Sequence, residues 1–157
     1  MQRPYFVVIT GMMFLQMVAA CTRPESETSS ETSGTSPTRA DTGRVEIATG
    51  TFVDKGGQHT AGAFVVERMG EDLRLILGDD FRTDEGPDLH LVLSPTTVAD
   101  AVNDNAMAEG AEVVGKLAQQ TGRQVYDLRD DLMLDRYNSV LIHCIEFSHL
   151  YGAAPLR

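Results

Sequence analysis

Short apolar segments separated by glycine-marked turns recur through the second two-thirds of the sequence, and several of them have a two-residue period. In DLHLVLS (88–94) the alternation puts Leu89, Leu91 and Leu93 on one face and His90 and Val92 on the other. The other segments are HTAGAFVVE (59–67), LRLIL (73–77), QVYDL (124–128) and YNSVLIHCIEF (137–147). The first two of these are joined by MGED, a short link typical of a β-hairpin. We therefore expect β-strands at all five segments.

Many short strands at regular spacing predict an all-β domain over residues 44–157, either an antiparallel sandwich or a barrel-like fold. The strand at 137–147 is the most apolar and is expected to lie at the centre of a sheet. Residues 96–110 contain two asparagines and end in glycine, which indicates a short turn of helix or a loop.

The amino-terminal residues have the order of a secretory signal. Arg3 precedes an apolar run of 13 residues from Tyr5 to Met17, and the run is followed by VAAC. A membrane-spanning helix needs about 20 apolar residues, so this run is too short. VAAC is typical of a bacterial lipobox, which predicts a signal peptide at 1–20 and a lipid anchor at Cys21. An ordinary secretory cleavage after Ala20 is the alternative.

Residues 21–43 are expected to be a disordered linker behind that anchor. The stretch from 22 to 43 has no Val, Ile, Leu or aromatic residue, so it cannot bury enough apolar surface to offset the entropy of ordering.

The predicted location of the protein is the bacterial cell envelope, outside the cytoplasm. Thr22 is not the Asp that often retains lipoproteins at an inner membrane, so the outer membrane is favoured in a cell with two membranes.

The charge of the chain restricts its partners. A net charge of −10 argues against nucleic acid, because phosphate recognition needs clustered Lys and Arg. The same charge argues against electrostatic binding to anionic lipid head groups, so the predicted membrane contact is the lipid at Cys21. The sequence contains no P-loop or dinucleotide-binding motif.

Cys144 lies within the most apolar segment and, if Cys21 carries lipid, has no disulfide partner in the mature chain. A lone buried cysteine is usually a small hydrophobe. However, a free thiol in an exported domain is prone to oxidation, which favours a redox or ligand role. Strand alternation points His143 away from Cys144.

Two metal sites can be weighed from residue types. Cys144, His149 and His90 are the ligand types of a blue-copper site, but no Met follows Cys144 as an axial ligand. The segment GDDFRTDEGPD (78–88) has five carboxylates, but its spacing matches no EF-hand, so a solvated turn is favoured over a calcium site.

Several stretches resemble the DM-thirteen domain, the electron-transfer domain of Skeletor-like and DOMON-associated surface proteins. They are HTAGAF, FRTDEGPDLHLVLS, GKL at 115–117, GRQVYDL and YNSVLIHCIEFSHLYGAAPL, and they cover residues 49 to 156. The most specific are GPDLHLVLS and the closing C-x-x-F…G-x-A-x-L pattern. The chain departs from the pattern at His143, where an aromatic residue often precedes the cysteine.

The resemblance implies a surface-tethered electron-transfer domain that uses Cys144 as a naked thiol or as the ligand of a prosthetic group such as haem. His59 and His90 match histidines of the pattern and are its candidate cofactor-binding helpers. The partner implied is a redox protein that the sequence does not identify. The alternative is a non-catalytic extracytoplasmic binding module in which Cys144 only packs.

Overall fold

A computed structural model describes residues 43–157, and within them nearly all regular structure is β-strand. The strands in chain order are β1 Arg44–Thr51, β2 Val53–Asp54, β3 Thr60–Ala61, β4 Ala63–Met69, β5 Asp72–Leu77, β6 Arg82–Thr83, β7 Leu89–Ser94, β8 Glu112–Lys116, β9 Gln124–Leu128, β10 Ser139–Cys144 and β11 His149–Pro155. Two short 3₁₀ helices occur at Asn103–Asn105 and Leu134–Arg136. The predicted signal peptide, the lipid site at Cys21 and nearly all of the predicted linker lie outside the described residues.

The strands form two main antiparallel sheets packed as a sandwich. One sheet has the order β1-β4-β5-β9, the other has the order β2-β11-β10-β7-β8, and β3 pairs with β6 in a small third sheet. The prediction of an antiparallel all-β fold is confirmed, and of its two forms the sandwich is the one observed. The strand that contains Cys144, β10, lies at the centre of the five-stranded sheet, as expected.

The core between the sheets is built by alternate residues of the central strands. Leu89, Leu91 and Leu93 of β7 face inward together, as their spacing predicts, and pack with Val140 and Ile142 of β10. Phe52, Phe64 and Phe81 add a chain of tilted and edge-on ring contacts. Each fully buried side chain of this size stabilises the fold by about 1.5–3 kcal/mol.

The five-stranded sheet is also covered on its outer face. Val92, Leu141, Leu150 and Ala153 pack there beneath residues of the 95–111 segment. This segment is mostly loop with one 3₁₀ turn, which agrees with the expectation of a short helical turn or a loop. Because both faces are covered, all six residues of β10 are buried.

The strand boundaries differ most from the predicted ones in two segments. The 59–67 segment is broken at Gly62, where φ is +103° and a Cβ atom would collide with the backbone of Phe81. The 137–147 segment ends as a strand at Cys144, because residues 145–148 form a turn in which Ser148 has φ +46°. The chain then returns as β11, a strand that was not predicted. The strands β1 and β8 and the two-residue strands β2 and β6 were also not predicted.

The described residues contain no helix long and apolar enough to cross a bilayer.

Candidate functional site around Cys144

Cys144 is the last residue of β10 and faces the core between the sheets. Its neighbours in register are Leu89 on β7 and His149 on β11. The residue is 0% exposed, forms no disulfide with any residue from 43 to 157, and belongs to the same core cluster as Ile142 and Tyr151. The thiol is therefore enclosed by packed side chains at one end of the central strand.

The segment 78–88, hereafter the acidic loop, approaches this end of the core. Its Asp88 carbonyl accepts a hydrogen bond of 3.1 Å from the backbone N–H of Ile145, the residue after the cysteine. A Cβ atom on Gly86 would lie 2.7 Å from the Leu89 side chain and 2.9 Å from the Tyr151 hydroxyl oxygen. The glycine thus lets the loop backbone approach two residues that pack in the core with Cys144.

Tyr151 packs in the same core cluster as Cys144 and has a raised pKa. Burial raises its pKa, and negative charge at Cys144 and Asp84 raises it further. Its hydroxyl donates to the Glu85 carbonyl at 3.4 Å, and its ring meets that of His149 edge-on at 5.5 Å. Sequence reasoning missed Tyr151, and its only signal was its place in the closing YGAAPL of the family pattern.

His59 lies at the surface, apart from the thiol. Its side chain is 83% exposed, and its Nδ1 is 3.1 Å from Asp54 Oδ2, a hydrogen bond that raises the pKa of His59 and lowers that of Asp54. These two residues line a polar cavity of about 470 Å³ together with Thr60, Ala61, Arg82, Thr83 and Asp84. Beneath it, the Thr60 hydroxyl donates to the Tyr151 carbonyl at 3.0 Å, so the cavity adjoins the strand that carries Tyr151.

His90 lies on β7 directly opposite His143 on β10. Its Nδ1 is 3.1 Å from the Asp88 carbonyl oxygen, and the carboxylate of Asp88 pairs with Lys116 at 3.0 Å. By alternation, both histidines are on the outer face of the sheet, opposite to Cys144. The thiol, His90 and His59 therefore occupy three different environments, and no hydrogen bond or ion pair within residues 43–157 joins any two of them.

The three candidate ligands of a blue-copper site, Cys144, His149 and His90, do not come together in the fold either. Cys144 faces the inner core and His90 the outer face. His149 has both nitrogens engaged, because Nε2 donates to the Gly56 carbonyl at 2.9 Å and Nδ1 is 3.3 Å from the Asn103 amide nitrogen. Within residues 43–157 no three or more His, Cys, Asp or Glu side chains are arranged to hold a metal ion.

His143 predicts a pH dependence of stability. Burial lowers its pKa below the usual 6.5, and positive charge on His149 and His90 lowers it further. Below about pH 6.5 the unfolded chain takes up a proton at His143 that the folded chain does not. The free energy of unfolding should therefore decrease as the pH is lowered from about 6.5 towards the pKa of His143 in the folded state. Urea denaturation between about pH 8 and pH 5 measures this slope.

A His143→Leu variant should lose this acid-sensitive part of the slope. The matched control is His59→Ala, because His59 has a raised pKa and its contribution has the opposite sign: it is present below about pH 6.5 and is lost as the pH rises through the folded pKa. If the free energy of unfolding of His143→Leu depends on pH as steeply as that of the parent, the acid sensitivity does not come from His143.

A family model described as "Electron transfer DM13" matches residues 51–156. No curated protein and no solved structure matches the chain.

Proposed function

Since the chain belongs to the electron transfer DM13 family, we propose that its β-sandwich carries electrons through Cys144 as a naked thiol. The observation that supports this assignment is the thiol itself, which has no disulfide partner within residues 43–157, is fully buried, and lies at the end of a central strand in the same core cluster as Tyr151. The activity, electron transfer, is taken from the description of the family. The role of Cys144 in that activity is our proposal.

The surroundings of Cys144 fit a naked thiol better than a haem ligand. Cys144 lines none of four surface cavities of about 270, 280, 430 and 470 Å³. Its neighbours are packed core residues, and a haem beside the sulfur would have to displace Leu89, Tyr151 and the loop that covers them. The residues present therefore do not fit haem at this cysteine, and no step of the proposed function involves it.

The chemistry of such a thiol is a one-electron couple. Loss of one electron and one proton converts the thiol into a thiyl radical, and the reverse step regenerates it. The electron goes to a one-electron acceptor in a redox partner protein, and the proton goes to water when the covering loop opens. The enclosed position disfavours dimerisation through a disulfide, because a second sulfur cannot reach Sγ in the closed fold.

The experiment that tests this function uses the full chain with Cys21→Ser as the parent, so that Cys144 is its one cysteine, and compares it with the same chain carrying Cys144→Ala. We expect the parent to show a one-electron wave in protein-film voltammetry and a sulfur-centred radical after oxidation by hexachloroiridate(IV), and we expect the Cys144→Ala variant to show neither. Equal responses of the parent and the Cys144→Ala variant would overturn the thiol assignment, and an absorption band from a bound chromophore would overturn the naked form of it.

A second candidate function is a binding module in which Cys144 only packs. The polar cavity beside Asp54, His59 and Arg82 supports this candidate, because it offers charges of both signs to a small polar ligand. The Cys144→Ala comparison separates the two functions, since a binding module would be indifferent to loss of the thiol.

We also propose that the chain is a lipoprotein of the cell envelope, anchored at Cys21. The support is the VAAC motif after an apolar run and the polar linker sequence that follows it. Two or more acyl chains would anchor the protein stably, whereas one would not. Metabolic labelling with a fatty acid should mark the wild type and not Cys21→Ser, and label on the variant would refute this anchor site.

A further inference from the structure

His143 is a buried imidazole without a hydrogen bond. The residue is 1% exposed, and its Nδ1 is the one buried side-chain nitrogen or oxygen in residues 43–157 that has no partner. An imidazole always carries a proton or a lone pair at each nitrogen, so leaving one unsatisfied inside a protein costs about 1–3 kcal/mol. A buried polar atom of this kind requires an explanation by a ligand, an ion or a water molecule.

The facing residue, His90, has the orientation of a metal ligand. A carbonyl oxygen can only accept, so the contact of His90 Nδ1 with the Asp88 carbonyl at 3.1 Å places the proton on Nδ1. The lone pair is then on Nε2, which makes no hydrogen bond within residues 43–157. A backbone carbonyl that holds Nδ1–H and frees Nε2 is the usual outer contact of a metal-bound histidine.

The register brings the two imidazoles close to one another. His143 and His90 are direct partners on neighbouring antiparallel strands, so both side chains leave the sheet on the same face. Direct partners have Cβ atoms about 4.5–5.5 Å apart, which allows two imidazoles to converge on one ion at about 2.0–2.1 Å from each nitrogen.

We propose that His90 and His143 bind a divalent late transition-metal ion, Cu²⁺ or Zn²⁺, through His90 Nε2 and the unpartnered Nδ1 of His143. Imidazole suits both ions, and Cu²⁺ is expected to bind more tightly than Zn²⁺. The remaining coordination positions are taken by water. This site goes beyond the proposed electron transfer, because it is on the opposite face of β10 from Cys144 and does not use the thiol.

The electrostatics of the pair agree with this proposal. Metal binding requires the neutral imidazole, and burial keeps the pKa of His143 low, so the ligand form prevails at neutral pH. His90 is partly exposed at 16%, which gives an ion access from the solvent side. His149 is not a third ligand, since both of its nitrogens are engaged by the backbone and Asn103.

The test uses the full chain with Cys21→Ser and Cys144→Ser, so that no thiol binds the added metal. Zn²⁺ and Cu²⁺ are titrated in competition with a chromophoric chelator, and electron paramagnetic resonance of the Cu²⁺ form reports the number of coordinating nitrogens. We expect one equivalent to bind, with two nitrogens, and each of His90→Ala and His143→Ala to weaken binding tenfold or more. His59→Ala is the matched control and should bind like the parent.

The alternative outcome is that Nδ1 of His143 is satisfied by water only. In that case the parent binds no stoichiometric metal, or binds it equally after His90→Ala, and the proposal is overturned. Because His90 is partly exposed, His90→Ala should fold even if His143→Ala does not. Electron transfer at Cys144 is measured without added metal, so failure of this site leaves the proposed function standing, and the converse also holds.

Discussion

In a Cys21→Ser variant, the Cys144 thiol is expected to react with iodoacetamide on the order of 10³-fold or more slowly than the same thiol in the unfolded chain. The residue is 0% exposed and enclosed by Leu89, Tyr151 and the loop above them, so the reagent must wait for an opening of the fold. The measurement is the alkylation rate followed by mass spectrometry at increasing urea concentrations.

Gly86→Ala provides a sharper form of this experiment. The added methyl group would meet the Leu89 side chain and the Tyr151 hydroxyl, so the loop should shift and the thiol should react faster than in the parent. Gly57→Ala is the control, because a Cβ atom there meets nothing within 4 Å, although its φ of +78° adds some strain. Native-state reaction at the unfolded rate would show that the thiol is not enclosed as described.

Phe81→Ala is expected to lower the free energy of unfolding by about 3–5 kcal/mol. Phe81 is 1% exposed, packs edge-on against Phe52 with ring centroids 5.5 Å apart, and lies in the core between the sheets. Domains of this kind have a total stability of about 5–15 kcal/mol, so the loss is a large share of it. The measurement is the midpoint of urea denaturation, with the slope checked for constancy.

The chain offers a matched control of the same residue type. Phe147 is 66% exposed in the turn after Cys144, and Phe147→Ala should change the free energy of unfolding by no more than about 0.5 kcal/mol. Similar losses in the two variants would contradict the placement of Phe81 in the core between the sheets.

The alternation of apolar residues predicted much of this fold because it reports directly on burial. The 124–128 segment is a strand over those same residues, and 73–77 and 88–94 agree with β5 and β7 to within a residue. β11 was missed because HLYGAAP is covered on both faces and so shows no alternation, and because its Gly and two Ala residues have low strand propensity. β10 was predicted five residues too long, two at its start and three at its end, and the end was missed because the turn there depends on the positive φ of Ser148.

The site was less accessible to sequence reasoning than the fold. Alternation correctly separates Cys144 from His143, because side-chain direction in a strand is local. The packing of Gly86 against Tyr151 is not local, since these residues are distant in sequence and meet through the closure of a loop. The unsatisfied Nδ1 of His143 is not a local feature either. Whether this nitrogen has a hydrogen-bond partner depends on the groups that the 95–111 segment and β7 place beside it, and not on the neighbours of His143 along the chain.

The strand order affects how long the Cys144 thiol stays exposed while the chain folds. β10 pairs with β7, so Cys144 meets Leu89, which precedes it by 55 residues. Pairings this distant close slowly, because the loop entropy must be lost before the contacts form. Until they form, Sγ is reachable by any oxidant in the compartment where the chain folds. The thiol is therefore most vulnerable in newly made protein, and a chaperone or reductant that acts before the central strands meet would determine how much of it survives in reduced form.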